Sequence, residues 1–266
     1  MSDRTGVQHI ARYIVDGRVH HGRRIAEAFA RLDAPPWLGG RETGERDPGG
    51  GVRLLAPVVP TKVVCVGLNY RAHIAESASV APGAAPPREP LLFLKPPSAV
   101  IATGEPIRYP PSVTRLDPEA ELAVVIGRRA TRVDPRSAPD HIAGLTCFND
   151  VSARNHQRED GQWTRAKGFD TFAPLGPWVA TGLDPGSLTV VCRVNGVERQ
   201  SGRTSDLLFP VPELVSFISG VMTLEPGDVI ATGTPAGIAP VGVGDVIEVE
   251  VEGIGVLVNR VAGPSS

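Results

Sequence analysis

Short apolar runs separated by turn residues recur along the chain, a pattern that predicts many short strands and few helices. The 30 glycines and 26 prolines are dispersed among these runs, as turns between strands require. We predict strands at 91–95, 99–102, 121–127, 145–149, 189–196, 228–233 and 245–261. Residues 211–220, with Pro212 near their start, form the clearest helix signal. The pattern therefore predicts a mainly β (α+β) protein with few short helices.

The first 60 residues have a different sequence pattern from the rest of the chain. An Asp16-Gly17 pair between 12–15 and 18–20 predicts a β-hairpin, and residues 24–32 fit a short helix. The polar stretch 34–51 is rich in Gly and Pro and is expected to be a loop or linker. We therefore predict a small N-terminal domain over 1–56 and a larger domain over 57–266.

Composition excludes several classes of protein. The 266 residues are 41% hydrophobic and 21% charged with a net charge of −2, so no basic surplus points to nucleic acid. No apolar run is long enough for a membrane span, and the first residues lack the apolar core of a secretory signal. Three widely spaced cysteines without a CxxC motif predict buried thiols in a reducing cytoplasm.

Two glutamates stand at the start of a buried apolar run. Glu119 and Glu121 are two residues apart, and the period of a strand points both to the same side. Two neighbouring carboxylates beside a core repel each other, and a divalent cation such as Mg²⁺ or Mn²⁺ would relieve that cost. The alternative is an exposed strand edge that carries two solvated glutamates.

A second polar group follows the strand at 145–149. Asp150 closes that strand, and a short helix would place Arg154 and Gln157 on its side. Arg154 could bind a substrate carboxylate through two hydrogen bonds. The alternative is that Asp150 caps a helix and that Arg154 lies on the surface.

Two further segments carry weaker signals. Lys167 is a single lysine in a segment that is broken by glycine and rich in aromatic residues, where it could stabilise a developing enolate or neutralise the acidic cluster. The turn 231–237 offers backbone N–H groups and the Thr234 hydroxyl to an anion. The alternatives are a lysine on a surface loop and an ordinary turn.

One segment looks mobile. His73 and Glu76 are three apart, on one face if the segment is helical, and a spacer of small residues and prolines follows them. The pair could therefore lie on a lid over residues 70–90.

Taken in the order in which they occur along the chain, the motifs from about residue 62 to the end resemble those of the fumarylacetoacetate hydrolase family. They are VGLNYRAHIAES, LFLKPPSAV, DPEAELAVVIG, NDVSARNHQ, KGFDTFAPLGPW, TSDLLFPVPELVSFIS, MTLEPGDVIATGTPAG and VEGIGVLVNRV. One departure is Asp117-Pro118, where members of the family often carry an aromatic residue.

The resemblance implies a fold, a metal and roles for particular residues. It implies a mixed β-sandwich or β-roll with a small N-terminal domain, usually as a homodimer. Mg²⁺ or Mn²⁺ would be bound by Glu119, Glu121 and Asp150. His73 and Glu76 would form the acid/base pair, and Lys167 would support the metal and the developing charge. The positions that would contact substrate are Arg154, Gln157 and Thr234.

The expected reaction is cleavage of a carbon–carbon bond in a small 2,4-dioxo acid by water that His73 activates. The same groups would also suit decarboxylation or isomerisation of a related 2-oxo acid, such as oxaloacetate or 2-hydroxyhepta-2,4-diene-1,7-dioate. A metal-stabilised protein that only binds a carboxylate is the non-enzymatic alternative. Such a protein would not need the His73/Glu76 pair.

Overall fold

The computed structural model describes residues 6–72 and 86–264. Within these residues strands predominate over helices, which confirms the mainly β fold. The strands are β1 Gln8–Val15, β2 Arg18–Ile25, β3 Ala28–Leu32, β4 Glu42–Pro48, β5 Arg53–Leu54, β6 Val63–Gly67, β7 Leu91–Lys95, β8 Val100–Ile101, β9 Ile107–Arg108, β10 Leu116–Asp117, β11 Ala120–Ile126, β12 Ile142–Asn149, β13 Ser152–Ala153, β14 Ala173–Thr181, β15 Thr189–Val194, β16 Val197–Arg203, β17 Val229–Ala231, β18 Val246–Val251 and β19 Gly255–Ala262. The α-helices that lie wholly within the described residues are α1 Arg154–Asp160, α2 Thr164–Lys167 and α3 Val211–Val221. None of the described helices is long and apolar enough to cross a membrane.

Two sheets face each other across the main core. The larger runs β4-β3-β2-β1-β14-β12-β11-β17-β6-β7, with β5 on β1 and β8 on β14, and the smaller runs β16-β15-β18-β19-β9. Leu122 and Val124 of the larger sheet share one apolar cluster with Val190 and Val249 of the smaller. Removal of this apolar surface from water is the main term that holds the sheets together.

Strand β11 is buried on both of its faces, which explains its nearly continuous apolar sequence. Leu122 and Val124 point towards the smaller sheet. Ala123 and Val125 point the other way, into a second cluster that contains Val63 and Cys65 of β6. The larger sheet is therefore covered on both sides near its centre, and the polar start of β11 lies at the end of that covered region.

The predicted hairpin is confirmed, but the predicted helix over 24–32 is wrong. Strand β2 continues to Ile25, and the chain turns at Ala26, whose φ of 50° is left-handed. Strand β3 then pairs with β2, and the Phe29 ring stacks on Tyr13 with centroids 4.8 Å apart. The Ala and Glu residues of this segment favour a helix locally, but pairing with β2 and burial of Phe29 outweigh that preference.

Two other predictions need correction. The expected linker 34–51 contains strand β4, an edge strand whose side chains are almost all exposed. Such a strand has no apolar alternation to reveal it. The single strand expected over 245–261 is a hairpin, β18–β19, that turns near Gly253, whose φ is 75°.

The N-terminal strands join the sheet that holds the rest of the chain. β1 pairs with β14, with His9 opposite Ala180. In the small core on β1, the Tyr13 hydroxyl donates to Asp47 Oδ2 at 2.6 Å, and Arg31 Nη2 donates to Asp47 Oδ1 at 2.5 Å. The strands of 1–56 thus have a core of their own and a shared sheet.

A buried carboxylate ties the entry of β6 to β17. Asp228 Oδ1 accepts hydrogen bonds from Thr61 N at 3.0 Å and Thr61 Oγ1 at 2.7 Å, and Oδ2 accepts from Glu225 N at 2.8 Å and pairs with Lys62 Nζ. Burial alone would raise the pKa of Asp228, but these bonds hold it below its usual value.

We expect Asp228→Asn to lower the free energy of unfolding at pH 7 by about 2–3 kcal/mol, because charge-assisted bonds are lost. A carboxyl whose pKa is depressed by folding stabilises the fold above its unfolded pKa, and that contribution disappears as pH falls through the folded pKa. The difference between wild type and variant in urea unfolding should therefore shrink as pH falls below about 3.9, the ordinary pKa of an unfolded aspartate. A difference that does not shrink in this acid range would contradict this account.

Candidate metal centre

Three carboxylates meet where strands β11 and β12 lie side by side. Glu119 directly precedes β11, Glu121 is its second residue, and Asp150 directly follows β12. The strands are antiparallel with Ala120 opposite Asn149, so the start of one adjoins the end of the other. One oxygen from each carboxylate lies within 4.8 Å of the others, and all three residues are buried. The alternative of solvated glutamates on an exposed edge is therefore wrong.

Hydrogen bonds from backbone N–H groups hold these carboxylates in register. Asp150 N donates to Glu119 O at 2.9 Å, and Glu119 N donates to Asn149 Oδ1 at 3.0 Å. Gln200 from β16 of the smaller sheet accepts from Ala120 N at 2.9 Å. The backbone on either side of the carboxylates is thus fixed by both sheets.

Lys167 lies inside this cluster, so the alternative of a surface loop lysine is wrong. Its side chain is only 2% exposed, and Nζ donates to Glu119 Oε2 at 2.7 Å and to Asp150 Oδ2 at 2.6 Å. Its ammonium group also lies 5.0 Å from the centroid of the Phe93 ring. Lys167 is therefore placed to balance negative charge at the centre.

A second buried lysine was not singled out from the sequence. Lys95 ends β7, its side chain is fully buried, and Nζ donates to Asp150 Oδ1 at 2.5 Å and to Val151 O at 3.0 Å. Both oxygens of Asp150 are thus held by lysines. A lone lysine that closes the apolar run LLFLK was the available signal, because such a charge needs a partner if the strand is buried.

Arg154 and Gln157 lie on one side of α1, as predicted. Arg154 Nη1 donates to Gln157 Oε1 at 2.8 Å, Nε donates to Asp117 Oδ2 at 2.9 Å, and Nη2 donates to Glu119. Asp117, noted in the sequence only as a departure from the family pattern, is fully buried and also pairs with Arg115 at 2.9 Å. The arginine therefore belongs to the acidic centre, and its contact with substrate stays a prediction.

Asp150 does not cap α1, because the residue that precedes this helix is Ala153 and no side chain caps it.

Thr234 is buried, and its hydroxyl donates to Ala120 O at 2.8 Å and accepts from Gln200 Nε2 at 2.8 Å. The threonine hydroxyl thus links the two sheets, and its contact with substrate stays a prediction.

The turn after β17 contributes a backbone donor. Gly233 N donates to Glu121 Oε2 at 2.8 Å. Gly233 has a φ of 102°, and a Cβ there would lie 2.8 Å from Asn69 Cβ. Glycine is therefore needed at this position, both for its backbone conformation and for the close approach of residue 69.

The donor set fits a divalent cation. Glu119 and Asp150 each bind cationic side chains, whereas within 6–72 and 86–264 no lysine or arginine pairs with Glu121. Burial, followed by the charges of Asp150 and Glu119, raises the pKa of Glu121 well above its usual value. A cation held by oxygens of all three carboxylates would supply the missing counter-charge, and hard oxygen ligands suit Mg²⁺ or Mn²⁺.

His73 and Glu76, the predicted acid/base pair, lie outside the described residues. The residues just before them are firmly held. Asn69 Nδ2 donates to Thr232 O at 2.8 Å, and Asn69 Oδ1 accepts from Phe209 N at 2.9 Å. The chain that leads to the pair is thus anchored to the turn that contacts Glu121.

Fold and site together define a mainly β protein with a buried cluster of three carboxylates that could hold a metal ion. Residues 62–262 match the family model for the Fumarylacetoacetate (FAA) hydrolase C-terminal domain, and residues 8–57 match the model for the Rv2993c-like N-terminal domain. The chain belongs to the fumarylacetoacetate hydrolase family, as the motifs predicted.

Two relatives show the range of names in the family. The chain is 50% identical over 222 residues to Protein Rv2993c of Mycobacterium tuberculosis, a match that covers 82% of each chain. It is 43% identical over 223 residues to the mitochondrial oxaloacetate tautomerase FAHD2A of Bos taurus, which covers 79% of this chain and 69% of the relative.

Two solved structures share the fold over nearly the whole chain. The 2-hydroxyhepta-2,4-diene-1,7-dioate isomerase of Mycobacterium marinum is 41% identical with a TM-score of 0.89, covering 97% of this chain and 100% of that chain. The maleylpyruvate hydrolase of Sphingobium sp. SYK-6, solved in complex with manganese(II) ion and pyruvate, is 28% identical with a TM-score of 0.77 and the same coverage. Relatives of this chain thus include a tautomerase, an isomerase and a hydrolase.

Proposed function

We propose that this protein is a divalent-metal-dependent enzyme that cleaves a carbon–carbon bond in a small 2,4-dioxo acid by hydrolysis. The observation that carries the proposal is the buried cluster of Glu119, Glu121 and Asp150, in which Glu121 has no cationic partner among the described residues. The manganese and pyruvate bound by the Sphingobium hydrolase support both the metal and the class of ligand.

The charge of the centre supports an anionic substrate. Lys95, Lys167 and Arg154 already offset the charges of Glu119 and Asp150. A bound divalent cation would therefore leave positive charge at the centre, which a carboxylate of the substrate would neutralise. Mg²⁺ or Mn²⁺ at Glu119, Glu121 and Asp150 would supply Lewis-acid stabilisation of an enolate.

The side chains would divide the remaining work. His73, oriented by Glu76, is proposed to take a proton from the water that attacks the distal carbonyl carbon. When the carbon–carbon bond breaks, its electron pair stays with the pyruvate fragment as an enolate, which then takes up a proton. The ammonium group of Lys167 offsets the negative charge that develops in this step, and Arg154 with Gln157 orients the acid.

A second candidate is proton transfer alone, as in a tautomerase or isomerase. The names of the relatives favour it, because the tautomerase and the isomerase are 43% and 41% identical to this chain, whereas the hydrolase is 28% identical. In that reaction His73 would move a proton between carbon and oxygen of a 2-oxo acid, and no carbon–carbon bond would break. Decarboxylation of oxaloacetate is the third outcome that the same groups allow.

A product assay with Mg²⁺ or Mn²⁺ distinguishes these reactions. The panel is an acylpyruvate, fumarylacetoacetate, oxaloacetate and 2-hydroxyhepta-2,4-diene-1,7-dioate, followed by NMR. We expect pyruvate and a free acid from the acylpyruvate, with turnover lost on chelation of the metal and in His73→Ala but kept in the control His20→Ala. Rearrangement without cleavage would establish the second candidate. A wild-type protein that neither turns over nor binds any of these acids would contradict the proposal.

We also propose a cytoplasmic homodimer. The family resemblance supports the dimer, as does the terminal strand β7, whose Leu91 and Leu94 are 42% and 47% exposed. The three free buried cysteines support a reducing compartment. Sedimentation velocity that gives the mass of one chain would contradict the dimer, and cell fractionation would test the compartment.

A further inference from the structure

Asp117 is a fully buried carboxylate that is joined to the acidic centre through Arg154. It is not one of the three carboxylates whose oxygens come together, yet its side chain has no exposed surface. Its Oδ2 accepts from Arg154 Nε at 2.9 Å, and Arg154 Nη2 in turn donates to Glu119. Burial of a charge is costly unless the charge is paired, so the reason for this carboxylate is to be sought in the arginines that it binds.

The backbone on both sides fixes Asp117 beside Arg154. Strand β10 pairs with β13, with Asp117 opposite Ser152, and Arg154 N donates to Arg115 O at 2.9 Å. Pro118 has a fixed φ and favours an extended conformation in the residue before it. The position of the carboxylate relative to the first residue of α1 is therefore set by the chain and not by the side chains alone.

A second arginine holds the carboxylate from another side. Arg115 Nε donates to Asp117 Oδ1 and Arg115 Nη2 donates to Asp117 Oδ2, both at 2.9 Å. Oδ2 is therefore shared by the two arginines, of which Arg115 is 41% exposed and Arg154 only 11%. The two bonds from Arg115 fix the plane of the carboxylate, so Oδ2 cannot turn away from Arg154 without breaking them.

The bonds to Arg154 leave part of its guanidinium group available. A guanidinium group has five N–H donors, and three of them go to Asp117, Gln157 and Glu119. One N–H remains on each of the two terminal nitrogens. Three bonds in three directions hold the plane of the group, and two donors on a fixed plane suit the two oxygens of a carboxylate.

We propose that Asp117 is a positioning residue, which holds the Arg154 guanidinium group so that its two remaining N–H donors meet the carboxylate of the bound 2-oxo acid. This role rests on the function proposed above, in which Arg154 orients the acid. A role of charge alone would have the opposite sign. The negative charge of Asp117 by itself repels an acid, so its removal would strengthen the binding of an anion if Arg154 kept its place.

The substitution Asp117→Asn separates these roles, with Asp228→Asn as the matched control. Asp228 is equally buried and pairs with Lys62, but it lies at the other end of β11, where its backbone O accepts from Ile126 N at 2.9 Å. The measurement is the affinity for oxalate, a dianion whose two carboxylates can chelate a divalent ion, with Mn²⁺ at a concentration that saturates each variant. Arg154→Lys and the double variant complete a double-mutant cycle.

Asp117→Asn should bind oxalate about 10-fold more weakly than wild type, and Arg154→Lys at least as weakly. The double variant should be no weaker than Arg154→Lys alone, because Asp117 acts through the arginine. Asp228→Asn should bind oxalate as wild type does, although it is less stable. Where the product assay finds a substrate, Asp117→Asn should raise KM by a similar factor and change kcat by less than about 3-fold.

A variant that keeps the charge covers the case in which Asp117→Asn does not fold. Asp117→Glu moves the carboxylate by one methylene group, so it should also weaken oxalate binding. Oxalate binding at or above wild-type affinity in the folded variant would overturn the positioning role, as would equal weakening in Asp228→Asn or additive losses in the double variant. Failure of the proposed function is distinguishable, because wild type would then bind no oxalate, or Arg154→Lys would bind it as wild type does.

Discussion

Replacement of Glu121 by Gln is expected to lower the affinity for Mn²⁺ by at least about 100-fold and to abolish metal-dependent turnover. Glu121 is the carboxylate of the centre that forms no ion pair with a described lysine or arginine, so its oxygens are the ones most available to a cation. Gln keeps the size of the side chain and an oxygen for the Gly233 N–H, so the change removes charge with little change of shape.

Stability separates this result from simple misfolding. Without metal, Glu121→Gln should be at least as stable as wild type, because a buried carboxylate next to Asp150 and Glu119 is replaced by a neutral amide. The increase in thermal midpoint that Mn²⁺ gives wild type should be absent. Calorimetry and thermal unfolding measure both effects, with Glu250→Gln as a control on the outer pair with Arg193. Undiminished Mn²⁺ binding by Glu121→Gln would show that the metal lies elsewhere.

Lys167→Met is expected to lower turnover by about 100- to 1,000-fold and the free energy of unfolding without metal by about 3–5 kcal/mol. The lysine bridges Glu119 and Asp150 at 2.7 and 2.6 Å, and its removal leaves two buried carboxylates that share one cation fewer. Met fills much the same volume, so the loss comes mainly from charge and hydrogen bonds.

A divalent cation should restore part of the stability that Lys167→Met loses, because both neutralise the same carboxylates. We therefore expect Mn²⁺ to raise the thermal midpoint of this variant more than that of wild type, although turnover stays low. Arg165→Met is the control from the same helix, since Arg165 forms exposed pairs with Asp160 and Glu159 and should change stability little. Near wild-type turnover in Lys167→Met would remove the lysine from the reaction.

Elements with a strong local signal were predicted well. The Asp16-Gly17 turn, the apolar run of β11 and the helix α3 each have a pattern that their immediate sequence explains. The segments predicted wrongly, 24–32 and 34–51, contain strands whose formation depends on a neighbour. Strand β3 owes its conformation to β2 and to burial of Phe29, and β4 is a polar edge that pairs with β3.

The residues of the candidate site likewise fall into those that local sequence predicted and those that it did not. The three acidic residues were predicted because each adjoins an apolar strand, where a carboxylate needs a partner. Lys95, by contrast, lies 55 residues from the Asp150 side chain that it binds, and Tyr70 forms a β-bridge with the distant Leu207. No local pattern contains such contacts, because they arise only when distant segments pack.

The β class, the family and the acidic residues that are candidates for the metal were all predictable from the amino-acid sequence. These features are visible in the spacing of hydrophobic residues and in short motifs, both of which involve only neighbouring residues. Only the packing of distant segments shows that Lys95, Lys167 and Arg154 share the charge of Glu119 and Asp150, and that Glu121 has no such partner among the described residues. These are balances of charge and solvation, which depend on distance in space rather than on distance along the chain.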